Sequence, residues 1–110
     1  MLVPIVISGS GNANYVYVTV NGTNYTGAAT LNVEPDTSIV CNVYGYTAQY
    51  PGTITVNGEV MVNITTYTRG TYTFIVPDDA STVTISLTNG QQGGGKGMFY
   101  YYGTIDIDWS

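Results

Sequence analysis

The sequence predicts an all-β fold, an antiparallel β-sandwich spanning residues 1–110 as a single domain, with about seven to nine short strands. A small β-barrel of similar strand number is the alternative. Three observations lead there. Nearly every segment alternates in polarity, or is a short apolar run bounded by Gly, Asn, Asp or Pro. No segment carries helical spacing over about ten residues or more. Hydrophobic residues make up 44% and charged residues only 8%, with Val, Ile, Thr and Tyr abundant, the types that suit a pleated, half-buried surface. A chain of 110 residues can enclose one core, and Cys41, its only cysteine, leaves no intramolecular disulfide to staple it.

Leu2–Ile7 reads as the first strand, with Pro4 placing it at a sheet edge or a bulge. Tyr15–Val20 directs Val16, Val18 and Val20 to one face and Tyr15, Tyr17 and Thr19 to the other. Ala29–Val33 is a short strand closed by the turn Glu34-Pro35-Asp36-Thr37. Ser38–Tyr46 puts Ile39, Cys41 and Val43 inward and Val40, Asn42, Tyr44 and Tyr46 outward. Gln49-Tyr50-Pro51-Gly52 is a turn, because Pro presets φ and Gly accepts the left-handed position.

Val18-Thr-Val-Asn-Gly22 recurs as Ile54-Thr-Val-Asn-Gly58. A two-residue loop at Asn21-Gly22 pairs Val18 with Tyr25. The same loop at Asn57-Gly58 sets Val60 and Val62 against Thr55 and Thr53, so a three-residue, bulged loop is expected there, aligning Ile54 with the valines. Thr71–Val76 turns Tyr72, Phe74 and Val76 inward, and Pro77-Asp78-Asp79-Ala80 reverses the chain. Thr82–Leu87 alternates cleanly, with Val83, Ile85 and Leu87 inward. Met98–Tyr102 and Thr104–Trp109 are two strands, or one strand broken at Gly103, with Ile105, Ile107 and Trp109 on one face and Asp106 and Asp108 on the other.

Charge excludes some functions. Net charge is −5, Arg69 and Lys96 are the only cations, and there is no histidine. Phosphate-backbone binding needs several basic contacts, so nucleic acid is not an expected partner. The commonest general base and metal ligand is missing. Met1–Ser8 is apolar but too short to span a membrane, and lacks the basic region and cleavage site of a signal peptide. No membrane association is expected, and synthesis in a host cytoplasm without signal-dependent export is.

Gly90–Tyr102 breaks the pattern. Gly90-Gln-Gln-Gly-Gly-Gly95-Lys96-Gly97 matches a phosphate-binding loop except at its last position, where the Mg²⁺-holding hydroxyl is absent. That motif also requires a following helix to receive the phosphate. Met98–Tyr102 instead forms strand, so the stretch is read as a mobile glycine loop between strands, and no cofactor is expected. Asp106 and Asp108 share a strand face but supply too few oxygens for calcium, the ion that carboxylates would favour. They read as a solvated face, with like charges on an edge strand discouraging unwanted pairing. Cys41 has no activating base and reads as a small core residue, so neither a catalytic residue nor a metal ligand is assigned. The acceptor patterns at Asn21, Asn24 and Asn63 read as turn and strand residues.

The 11 tyrosines are the most distinctive feature. Tyr25 and Tyr72 are expected to pack inside. Tyr15, Tyr17, Tyr44 and Tyr46 fall opposite the core, and Tyr100, Tyr101 and Tyr102 cannot all point inward. Exposed aromatics mark association sites and stack on sugar faces. Tyr44, Tyr46, Lys96, Tyr100, Tyr101 and Tyr102 are therefore the candidate contact residues for a partner or a glycan.

The xTVNG hairpins and the closing Gly103-Thr-Ile-Asp-Ile-Asp108 strand resemble small immunoglobulin-like domains of tailed-phage virion proteins and bacterial surface proteins. The cysteine pair and core tryptophan of antibody domains have no counterpart. The resemblance implies a non-enzymatic structural or interaction protein in a virion, such as a capsid decoration or accessory protein. Its partners would be capsid or tail proteins, or further copies of itself. A carbohydrate-binding module serving host or glycan attachment is the alternative.

Overall fold

The computed structural model describes residues 1–110 as ten strands in two sheets. In chain order these are β1 (Val3–Ser10), β2 (Val16–Val20), β3 (Thr23–Tyr25), β4 (Ala29–Val33), β5 (Ser38–Gly45), β6 (Gly52–Val56), β7 (Glu59–Ile64), β8 (Thr68–Ile75), β9 (Val83–Gly93) and β10 (Phe99–Trp109). One sheet has the order β4-β1-β9-β10-β6-β7 and the other β3-β2-β5-β8. The ladders stay separate, so the chain forms two sheets and not a closed barrel. Pairing is mostly antiparallel, with two exceptions: β1 runs parallel to β9, and β10 parallel to β6. Parallel neighbours need a long crossover. Here the other sheet provides it, because the chain visits β2, β5 or β8 between them.

The core lies between the sheets. Val3, Ile5, Ile7, Val33, Ile54, Val83, Ile85, Leu87, Ile105 and Ile107 come from the larger sheet. Val16, Val18, Val20, Ile39, Cys41, Val43 and Phe74 come from the smaller one, joined by Val76 just past β8. These are the positions that the alternation marks as inward, and Trp109, Tyr25 and Tyr72 pack partly buried against them. Side-chain alternation is a local property of a strand, which is why these inward positions are right before any pairing is known; Tyr15, read as opposite the core, instead packs against it from just ahead of β2.

Six expectations are corrected. Pro4 lies on neither an edge nor a bulge: β1 is an interior strand, and Pro4 is paired with Asn32 of β4 before the ladder to β9 begins at Ile5. A proline near the start of a strand forfeits little pairing. The Asn57-Gly58 loop is tight, with both residues at positive φ and Val56 paired with Glu59. The extra residue sits further along β7, where the register slips at Met61 and brings Val62 opposite Ile54. The turn predicted at Gln49–Gly52 lies earlier: the Tyr50 amide donates to the Thr47 carbonyl at 3.0 Å, and the Tyr46 amide to the Tyr50 carbonyl at 2.9 Å. Gly52 has no left-handed φ and is small for another reason, since a Cβ there would collide with the Tyr44 carbonyl.

The strand after the glycines is not broken at Gly103. β10 is continuous and pairs with β9 from Phe99–Gly93 to Trp109–Val83. It is an interior strand, so Asp106 and Asp108 guard no edge. Nor is Gly90–Gly93 a loop: those residues are the far half of β9, and the connection shrinks to Gly94–Met98, where Lys96 and Gly97 adopt positive φ.

Beyond Thr88 the strand β9 has no partner in β1, and before Thr104 the strand β10 has none in β6. The two continue together as a ribbon from Asn89–Gly103 to Gly93–Phe99. The molecule is correspondingly long, 52 × 23 × 18 Å.

Candidate functional site

The base of that ribbon is where the tyrosines gather. β5 ends there, β6 and β8 begin there, and Tyr15 leads into β2 at the same level. Tyr15 stacks on Tyr101 with centroids 4.2 Å apart and planes 8° from parallel. Tyr46 stacks on Tyr100 at 4.4 Å and 6°. Tyr67 meets Tyr44, Tyr46 and Tyr100 nearly at right angles, with centroids 5.6, 5.7 and 5.3 Å away. Tyr15 meets Tyr44 edge-on at 5.3 Å, Tyr50 stacks on Tyr46 at 6.3 Å, and Tyr102 tilts against Tyr50 at 5.1 Å. Tyr15, Tyr44, Tyr46, Tyr50, Tyr67, Tyr100, Tyr101 and Tyr102 thus form one connected aromatic surface. Stacked and edge-on pairs each add about 0.5–1.5 kcal/mol beyond burial, so the network holds the ribbon to the two-sheet body.

Two glycines make room for it. Gly90 faces Tyr102 across the ladder, and a Cβ there would strike the Tyr102 ring; Gly94 lies under Tyr100 in the same way. The glycine run therefore serves as a bed for the tyrosines that follow it. Arg69, paired with Tyr44 across β5 and β8, holds its guanidinium 5.4 Å from that ring's centroid, a cation–π contact.

Tyr67 is the hub. Its backbone sits at φ 44, a conformation that costs a bulky residue strain, and its amide donates to the Tyr46 carbonyl at 2.9 Å. Half of the residue remains exposed, 50% of its surface. Lost hydration, then the neighbouring phenols of Tyr44, Tyr100, Tyr15 and Tyr46, push its hydroxyl above the ordinary tyrosine range. The site is uncharged at neutral pH apart from Arg69, and offers ring edges, ring faces and hydroxyls.

Of the candidates read from sequence, Tyr44, Tyr46, Tyr100, Tyr101 and Tyr102 all join this surface. They are half-buried, because they pack on one another as well as facing out. Lys96 is separate, exposed at the ribbon tip beside Met98 and Phe99. Tyr17 stands outside the network on the outer face of β2. Tyr15, Tyr50 and Tyr67 are members that sequence reading did not select: Tyr50 and Tyr67 lie in connections with no period to place them, and Tyr15 reaches Tyr101 only because the two sheets set the start of β2 beside β10.

The aspartates behave as a surface pair. The Thr55 hydroxyl donates to the Asp106 carboxylate at 2.6 Å, while Asp108 is exposed. No group of three His, Cys, Asp or Glu side chains converges anywhere in the structure. No helix is long and apolar enough to cross a membrane. Comparisons with protein-family models, curated proteins and solved structures return no match to this chain.

Proposed function

We propose that this protein is a non-enzymatic interaction protein that docks through its tyrosine end, and that it serves as a capsid decoration or other accessory virion protein. The observation that carries the docking part is the connected tyrosine surface, half-exposed at Tyr67 and built on backbone strain and glycine cradles. Tyrosines supply large, rigid, amphipathic contact area and concentrate in the energetic centres of interfaces. Strain kept at an exposed position is characteristic of contact sites. The virion part rests on the resemblance of the xTVNG hairpins and GTIDID strand to small immunoglobulin-like virion domains. Two-sheet, antiparallel-dominated architecture supports that likeness. Strand order does not extend it, since six strands plus four with two parallel pairings depart from the four-plus-three of constant-type immunoglobulin domains.

A second reading, glycan attachment, is favoured by the exposed Tyr67 ring bordered by phenol hydroxyls, which suits stacking on a sugar face. One experiment addresses the first reading. Particles released from cells that make this protein are banded on a density gradient and probed for it. The expected result is co-migration that is lost when Tyr100, Tyr101 and Tyr102 are replaced by serine in a chain that still folds. Absence of the wild-type chain from particles overturns the virion reading, and binding undiminished by the serines overturns the site. Retention of a defined saccharide on a glycan array by a chain absent from particles supports the second reading.

A further inference from the structure

The ladders sort every charged side chain to one of two ends. β9 runs from Val83 to the ribbon tip, and β10 returns. The turns Glu34–Thr37, Asn57–Glu59 and Pro77–Ala80 all lie at the Val83 end, as do Asp106 and Asp108, which pair with Ser86 and Thr84. Glu34, Asp36, Glu59, Asp78, Asp79, Asp106 and Asp108 are all seven acidic residues of the chain. Arg69 and Lys96, its only two cations, lie at the opposite end, one beside the tyrosines and one on the tip.

The two ends differ in surface as well. At the tip, Lys96 stands exposed in a tight turn followed by Met98 and Phe99, each 53% exposed. At the carboxylate end, Thr82, Thr84, Asp108, Trp109 and Ser110 line a surface pocket. Val6, registered beside Thr84 on β1 and exposed, extends its apolar rim. Asp108 is the carboxylate of that pocket, and it can receive an ammonium group by ion pairing.

We propose that the partner of the ribbon tip is a second copy of this chain: Lys96 of one copy enters the Asp108–Trp109 pocket of the next, with Met98 and Phe99 covering its apolar rim. Charge disfavours one rival arrangement. Side-by-side parallel contact sets carboxylate ends against each other, whereas end-to-end contact sets cations against carboxylates. End-to-end contact joins unlike surfaces, so it is heterologous and propagates into a ring or a filament, whereas reciprocal insertion by two antiparallel copies closes as a dimer. The inference rests on the interaction reading only in its choice of contact elements, and it is tested on purified protein without particles, so either can fail alone.

The test is the weight-average mass by sedimentation equilibrium, across a concentration series at low salt (about 20 mM) and high salt (about 500 mM), where the Debye length shrinks several-fold. Mass is expected to rise with concentration at low salt and to fall back at high salt. Lys96→Glu and Asp108→Lys, both at exposed positions, are each expected to weaken association roughly tenfold or more, as charge reversal at a paired contact does. The double variant Lys96→Glu/Asp108→Lys restores the pair in reverse and is expected to recover association. A monomer at every concentration and salt overturns the proposal. So do oligomers indifferent to salt and to both single reversals, or a double variant no better than the singles.

Discussion

Cys41 is fully enclosed between Ile39 and Val43 on the inner face of β5, and burial pushes its thiol from 9.0 up to about 12. The folded chain therefore keeps the proton when the unfolded chain has lost it. A raised value of this kind leaves stability intact below pH 9 and erodes it as pH climbs from 9 towards 12, by up to about 1.4 kcal/mol for each pH unit. Tyr67, whose hydroxyl is also held above its ordinary range, acts in the same direction. Urea midpoints measured between pH 8 and pH 11 are expected to fall above pH 9, and Cys41→Ala is expected to fall less steeply, though from a lower start because of the cavity it leaves. Equal slopes for the two proteins would show that the thiol is not the titrating group. The burial of Cys41 was legible from its neighbours on an alternating strand. Tyr67 was not, because its positive φ and its three ring contacts arise from β5, β8 and β10 meeting at one level.

At the scale of elements, the β9–β10 hairpin joins the core to the site. Its inner half is apolar and carries Val83, Ile85, Leu87, Ile105 and Ile107 into the core; its outer half carries the tyrosines. Gly103 marks the passage between them. It is buried, and a Cβ there would run into the Val16 side chain and the Thr88 carbonyl. Gly103→Ala is expected to destabilise the protein by about 1–3 kcal/mol, the usual cost of overpacking. Gly93→Ala, with open space around the added methyl and an extended backbone, is expected to be neutral or to stabilise by about 0.5–1 kcal/mol. Thermal melts of the two variants check this, and equal losses would mean that the hairpin is not seated on Val16. Sequence reading placed both strands but cut the second at Gly103, taking as a break the glycine that close packing requires. It likewise located the bulge of the β6–β7 hairpin in the turn, when the apolar match between Ile54 and Val62 is made by a slip at Met61.

The whole molecule is a rod with one core and two unlike ends. Trp109 packs near the carboxylate end and the tyrosine network lies at the other, so two spectroscopic probes report on opposite poles. Because β9 and β10 run the length of the body and share its single core, Trp109 fluorescence and near-ultraviolet tyrosine dichroism are expected to give coincident urea transitions. An earlier tyrosine transition would show that the ribbon detaches before the core melts. The same axial separation makes a net charge of −5 compatible with self-association, since repulsion acts between like ends and attraction between unlike ones.

Local chemistry alone settled the all-β content, the inward face of the strands that alternate, and the Asn21-Gly22 and Glu34–Thr37 turns. Each depends on alternation or on a turn residue's φ preference, which acts over a few neighbours. Pairing partners, the parallel placement of β1 and β6, the interior position of β10, the gathering of distant tyrosines and the sorting of charge to two ends were decided only by the tertiary structure. These are relations between strands far apart in sequence, fixed when the two sheets close on their shared core, and no window of a single strand contains them.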